Sequence, residues 1–161
     1  MSAAHTDTAL RLRLELLSVP NSVGLIRSVL STLACADDLD PELVDDMRSA
    51  VSEACNNVVL HAYPGVPGPL IFSLSVSGDS IEAVVRDQGC GIRPGARGSC
   101  GLGMGVTLIN SLADRAEFES SELGTEVRMR FKRAMPLGRL SLELWALTNR
   151  QSSGALRAQS N

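Results

Sequence analysis

The sequence predicts an α+β fold, a two-layer sandwich of helices on a mostly antiparallel sheet. Three observations lead there. Five runs read as strands, at residues 10–16, 70–77, 80–87, 116–120 and 125–132. Four of these runs form two neighbouring pairs joined by short turn sequences, Gly78-Asp79 and Glu122-Leu123-Gly124. Such turns make hairpins, not βαβ crossovers. Stretches of helical period separate the first run from the first hairpin, and the first hairpin from the second.

Taken in order, Leu10, Leu12, Leu14 and Leu16 alternate with Arg11, Arg13 and Glu15, the period of a half-buried strand. Pro20-Asn21-Ser22 breaks it and caps a helix carrying Val23, Ile26, Val29, Leu30 and Leu33, which Asp37-Asp38 closes. Asp40-Pro41-Glu42 starts a second helix: N-cap, proline in the first turn, then an acid facing the helix dipole. That helix should reach about Ala62, where the segment from Tyr63 to Pro69 stops it with three prolines and two glycines. After the first hairpin, Ile92 to Cys100 is glycine-rich and basic without apolar period, hence a loop. Val106, Leu108, Ile109, Leu112 and Ala113 suit a third helix before the second hairpin. Beyond Arg133, Leu140, Leu142, Leu144, Trp145 and Leu147 make one amphipathic segment, and residues 151–161 are polar enough to stay disordered.

With 161 residues, 44% hydrophobic and 20% charged, the chain has length for one domain with a real core. A net charge of -3 and the lack of a basic run argue against direct nucleic-acid binding. No apolar stretch approaches the roughly 20 residues of a membrane span, and the first residues lack the pattern of a signal peptide. Cys35, Cys55, Cys90 and Cys100 show no C-x-x-C spacing and read as small apolar fillers in a reducing, cytoplasmic compartment.

Three motifs carry chemistry. On the second helix, Leu43, Met47, Val51, Ala54, Val58 and His61 form one stripe at about 100° per residue, the buried face. Glu53 and Asn57, four residues apart, share one edge of that stripe, whereas Asn56 points to solvent. Asn57 could offer an oxygen to Mg²⁺, and Glu53 could accept a proton from a hydroxyl attacking a γ-phosphate. An ordinary polar flank of an amphipathic helix would look the same.

Asp87 ends a strand and is followed by Gly89 and Gly91. A carboxylate fixed there can accept the exocyclic amino group of adenine, and the glycines permit close approach to a flat ligand. A plain strand-ending turn is the competing reading. Gly101, Gly103 and Gly105 precede the third helix, whose first N–H groups and dipole suit phosphate oxygens. The lysine and hydroxyl of a P-loop are missing, and the surrounding hairpins exclude a dinucleotide fingerprint. Arg93 or Arg97 could reach a terminal phosphate, and the Thr125 hydroxyl could meet the adenine edge.

An E-x-x-x-N helix, then D-x-G-x-G, then G-x-G before a helix, resembles the GHKL class of ATP-binding domains. Within it the chain resembles the bacterial anti-sigma-factor serine/threonine kinases. The segment "SEACNNVVLHAYPG" is similar to their asparagine box, and "GLGMGVTLINSLAD" with "GTEVRMRF" to their closing segment. The resemblance covers about Leu10 to Lys132. It implies a histidine-kinase-like ATPase fold, ATP and Mg²⁺ as cofactors, Glu53 as catalytic base and Asn57 as Mg²⁺ ligand. It further implies Asp87 with Gly89 and Gly91 at the adenine, Gly103 and Gly105 at the phosphates, and Thr125 supporting the base. The implied partners are a sigma factor and an anti-anti-sigma protein of STAS type, with the kinase as a homodimer. Two features depart from the family: the loop from Ile92 to Cys100 is short, and Gly101 stands where an arginine is common. Arg97 is the candidate substitute.

The expected organisation is a flexible tail at 1–9, a kinase domain at 10–133 and an extension at 134–161. Two further readings remain open. One is an ATP-binding module that only sequesters a partner; the other is a histidine-kinase catalytic fragment, disfavoured because no phosphoacceptor helix pair precedes the first strand.

Overall fold

The computed structural model describes residues 8–36, 38–90 and 102–133. In chain order these form β1 (Thr8–Leu17), α1 (Pro20–Ala36), α2 (Pro41–Asn57), a π-helical turn (Val58–Ala62), β2 (Pro69–Ser77), β3 (Ser80–Asp87), α3 (Leu102–Leu112), β4 (Arg115–Ser121) and β5 (Gly124–Lys132). The strands make one five-stranded sheet in the order β1-β2-β3-β5-β4, with every neighbouring pair antiparallel. Three helices cover one face. The α+β expectation and both hairpins agree with this arrangement. Gly91, Arg93, Arg97, Cys100, Gly101 and both chain ends, for which the sequence raises expectations, lie outside the described residues.

The core follows from strand alternation. Leu70, Phe72, Leu74 and Val76 of β2, Ile81, Ala83 and Val85 of β3, and Val127, Met129 and Phe131 of β5 all point under the helices. They meet Val23, Ile26 and Leu30 of α1, Met47, Val51 and Ala54 of α2, and Ile109 of α3. Each large side chain among them contributes about 1.5–3 kcal/mol by leaving water. A slip of one residue in β5 would turn Arg128 and Arg130 into this layer and Met129 and Phe131 out, so the pattern fixes the register.

The other face of the sheet carries charge. Glu82 accepts from Arg128 and Arg130, each at 2.8 Å, and Glu126 accepts from Arg128 at 2.7 Å and from Arg86 Nε at 2.6 Å. Glu82 lies directly opposite Arg130, and Arg86 opposite Glu126. Burial pushes the Glu126 carboxyl up, but its bonds and attraction to Arg86 and Arg128 outweigh that and hold it below its ordinary value. These pairs are half exposed, so each is worth at most about 1 kcal/mol.

Local chemistry sets the element ends. Asp40 accepts from the Glu42 N–H at 2.8 Å and caps α2, with Pro41 in the first turn. The buried Ser18 trades two hydrogen bonds with Gly68, at 2.9 and 3.0 Å, tying the loop after α2 to the end of β1.

Two expectations need correction. His61 is exposed, not packed; Val58 and Ala62 are the buried residues at this end of the helix. A π turn is wider than an α turn, so the position below Val58, which falls between His61 and Ala62 in a regular α-helix, moves onto Ala62. The cysteines are not all core fillers. Cys55 is fully buried, but Cys35 is exposed on the outside of α1 and Cys90 is half-buried.

Gly124 has φ +126°, and a Cβ there would run into the Asp87 carbonyl oxygen. Gly124→Ala should therefore destabilise the fold by about 2–3 kcal/mol in urea unfolding. Gly24→Ala on α1, where a Cβ meets nothing within 4 Å, should stabilise by about 0.5–1 kcal/mol. Equal effects would contradict the strain assigned to Gly124.

Candidate functional site

Glu53 and Asn57 are half-buried on the edge of α2 that faces α3, and Asn56 is exposed. The two helices come together at Gly105, which is buried. A Cβ on Gly105 would overlap Glu53 Oε1, and would stand 3.2 Å from Glu53 Cδ and 3.3 Å from Asn57 Nδ2. The carboxylate and the amide thus share the space over one glycine α-carbon. Only a residue without a side chain lets the start of α3 come this close.

The glycines do not precede the helix as expected. α3 begins at Leu102, so Gly103 and Gly105 lie within it. Glycine costs a helix about 1 kcal/mol relative to alanine, which is why the sequence pattern starts the helix at Val106; here close packing on α2 overrides propensity. Gly103, the second residue of α3, is among the positions whose N–H has no acceptor within the helix. Gly105 serves as the contact surface for Glu53. The positive end of the α3 dipole therefore faces a carboxylate and the space beside it.

Asp87 ends β3 with 5% of its surface exposed. Its Oδ1 accepts from the Gly89 N–H at 2.8 Å and from the Thr125 N–H at 3.2 Å. Burial raises the carboxyl above its ordinary value, opposed by the bonds from Gly89 and from the backbone and side chain of Thr125. A carboxylate offers about four lone-pair sites, so it has capacity for a further donor. Thr125, expected at the adenine edge, lies against Asp87 and donates its N–H to that carboxylate. A cavity of about 290 Å³ opens beside Asp87 and Thr125, bounded by the Glu119–Glu126 hairpin.

The turn after Asp87 is hung on the end of α2. Cys90 N–H donates to the Ala62 carbonyl at 3.0 Å, and a Cβ on Gly89 would overlap that same oxygen. Gly89 is thus required by contact with protein backbone. The Cys90 thiol reaches the His61 carbonyl at 3.5 Å. Tyr63 was missed as a site residue. Its hydroxyl donates to the Pro69 carbonyl at 2.6 Å and accepts from the Gln88 N–H at 2.7 Å. The available signal was a tyrosine beside a proline-rich stop, where a phenol packed on a glycine must find polar partners.

The structure therefore forms two clusters, Glu53–Asn57–Gly105 and Asp87–Gly89–Thr125. The π turn, Val58–Ala62, joins them. Cys55, inside the same helix, is not a nucleophile: burial pushes its thiol up to about 12.

Residues 16–131 match the family described as Histidine kinase-like ATPase domain. The chain belongs to that family. Among similar proteins, an "Anti-sigma F factor" of Thermoanaerobacter sp. strain X514 is 31% identical over 129 residues, covering 73% of this chain and 90% of that protein. A "Serine-protein kinase RsbW" of Bacillus licheniformis is 39% identical over 71 residues, 44% of each chain. Among solved structures, the RsbU and RsbW domains of a Mycobacterium tuberculosis protein align with TM-score 0.63 at 22% identity. That match covers 79% of this histidine kinase-like ATPase chain and 33% of the other, and it shows a shared fold.

The electrostatics of Asp87 give a pH test. Its pKa in the fold lies above the ordinary 3.8, so between those two values the native state binds more protons than the unfolded one. Stability from this group is then lost as pH rises through that window. Asp87→Asn should gain stability relative to wild type as pH rises above the ordinary carboxyl value of 3.8, read by urea unfolding. A difference that does not change with pH would remove burial as the dominant influence on Asp87.

Proposed function

We propose that this chain is an ATP-dependent protein serine kinase acting as an anti-sigma factor. It phosphorylates an anti-anti-sigma partner of STAS type and, in an alternative complex, sequesters a sigma factor. It works as a cytoplasmic homodimer whose kinase domain spans residues 10–133. The observation that carries the reading is the convergence of Glu53 and Asn57 over Gly105 at the start of α3, one π turn from the buried Asp87. The names of the similar anti-sigma factor and serine-protein kinase support the same reading.

The residues divide the work. Asp87 accepts the adenine amino group, an acceptor-only role that rejects a base with a carbonyl at that position. Thr125 and Gly89 hold the carboxylate toward it. Gly103 presents its N–H to phosphate oxygens at the positive end of α3. Glu53 accepts the proton of a seryl hydroxyl as its oxygen attacks the γ-phosphorus and the bond to the β-phosphate oxygen breaks. Arg97, Gly91 and Gly101 complete the pocket in this reading.

The donor set fits Mg²⁺, because Asn57 supplies a hard oxygen ligand beside Glu53. Among the described residues no three His, Cys, Asp or Glu side chains cluster to hold a metal, so nucleotide phosphates and water would supply the remaining ligands. When bound, the ion neutralises charge on the β- and γ-phosphates.

A second reading, an ATP-binding partner-switching module without phosphotransfer, draws mainly on the short Ile92-to-Cys100 stretch of the sequence, and also on Gly101, which stands where the family commonly has arginine.

Glu53→Gln should lower phosphotransfer by about 10²–10⁴-fold while ATP affinity changes little, measured with a serine-bearing anti-anti-sigma protein and by calorimetry. Transfer retained in this variant would remove Glu53 from the base role. ATP binding without transfer by the wild type would favour the second reading. Asn57→Ala should weaken Mg²⁺-dependent ATP binding about tenfold or more, and Asn56→Ala should not; each is read by titration with and without Mg²⁺. Equal losses would contradict the assignment of the metal to Asn57.

A further inference from the structure

The adenine contact in the proposed function depends on where Asp87 sits, and Asp87 is followed at once by Gln88, whose N–H ends on Tyr63. We propose that Tyr63 is a positioning residue for adenine recognition, acting through the Gln88 backbone on the Asp87 carboxylate. The inference rests on the nucleotide-pocket reading and adds a residue to its specificity machinery.

Four observations carry it. The Tyr63 hydroxyl is bonded on both sides, accepting from Gln88 N–H at 2.7 Å and donating to the Pro69 carbonyl at 2.6 Å. Those partners belong to different strands' ends: Gln88 follows β3 and Pro69 begins β2, and Leu70 pairs with Asp87 in the sheet. The phenol therefore bridges the two chain segments that bracket Asp87. The ring itself is held, because a Cβ on Gly68 would collide with it, so only glycine leaves room for the tyrosine in this position. Gly68 is in turn fixed by its two hydrogen bonds with the buried Ser18.

A support of this kind matters for a single-point contact. One carboxylate must meet one amino group at about 2.9 Å, and hydrogen bonds weaken steeply with misalignment. The Gly89 N–H fixes Asp87 Oδ1 from one side and the Thr125 N–H from another. Gln88 connects Asp87 to Gly89, so releasing its N–H loosens the turn that supplies the first of these donors. Phosphate contacts, made elsewhere in the site, would be untouched. Tyr63 should thus govern the choice of base and leave general nucleotide affinity alone.

Purine riboside triphosphate, which lacks only the exocyclic amino group of ATP, separates these effects. Calorimetric titration of both nucleotides, with Mg²⁺, should be run on wild type, Tyr63→Phe, Asp87→Asn and the double variant. Wild type should prefer ATP by tenfold or more. Tyr63→Phe should lower that preference at least fivefold and change affinity for the purine nucleotide less than twofold. The double variant should match Asp87→Asn alone, since neither residue then has an effect left to add.

Tyr63→Phe that keeps the full preference, or that weakens both nucleotides equally, would overturn the inference and leave Tyr63 a structural residue. A wild type with no preference would sink the adenine reading itself, and with it this inference; that result appears in the wild type alone. Tyr63 is the only tyrosine, so 3-fluorotyrosine incorporation labels this one site in the otherwise intact chain. Its ¹⁹F resonance should shift when ATP saturates the protein, and a resonance that ATP does not move would also overturn the proposal.

Discussion

The carbonyl of Ala62 is the hinge of the whole arrangement. It lies at the end of α2, beyond the regular helical ladder, where carbonyls lack partners within the helix. Here one satisfies the Cys90 N–H, and its oxygen leaves no room for a side chain at Gly89. That bond joins the helix bearing Glu53 and Asn57 to the strand bearing Asp87. Without it the two clusters would be tied only by the Cys90 thiol on the His61 carbonyl, the Gln88 N–H on the Tyr63 hydroxyl and the core beneath. Non-directional hydrophobic packing fixes layers well; a backbone hydrogen bond with a steric stop beside it fixes a distance.

The two faces of the sheet divide their physics accordingly. Beneath the helices, alternation supplies cohesion, and Asp87, the one buried acid among the described residues, sits at the rim where β3 leaves the core. On the open face, arginine and glutamate alternate across β3 and β5 so that each acid meets two cations. That ladder adds little stability in water. It does make a shifted register unfavourable, because moving β5 by two residues against β3 would bring Arg128 opposite Arg86 while unpairing Glu126.

Much of this was legible in the sequence. The strands and their hairpins followed from period two and from turn residues, and the proline stop after Ala62 was plain. The unequal placement of Asn56 and Asn57 followed from helical phase alone, since the phase of α2 is regular as far as Asn57. What was not legible arose from tertiary contact. Nothing local marks a π turn, so the phase failed at His61, four residues past Asn57, where it had still held. Glycine in a helix reads as a break until a neighbour needs its missing side chain, as Glu53 needs that of Gly105. Thr125 and Tyr63 act through backbone amides distant in sequence, and no spacing rule links Tyr63 to Gln88 or Thr125 to Asp87.

The π turn has a consequence for how this chain can vary. An α-helix tolerates length changes at its end because each added residue extends the same ladder. Between Asn57 and Ala62 that freedom is gone: removing one residue would restore the α period, turn Ala62 away from Gly89, and swing the Asp87 turn off its support. Relatives aligned to this segment should thus keep its length fixed even where its residues differ. Length differences belong in the exposed stretch from Pro64 to Pro67, which is anchored on either side and spans nothing that must be measured.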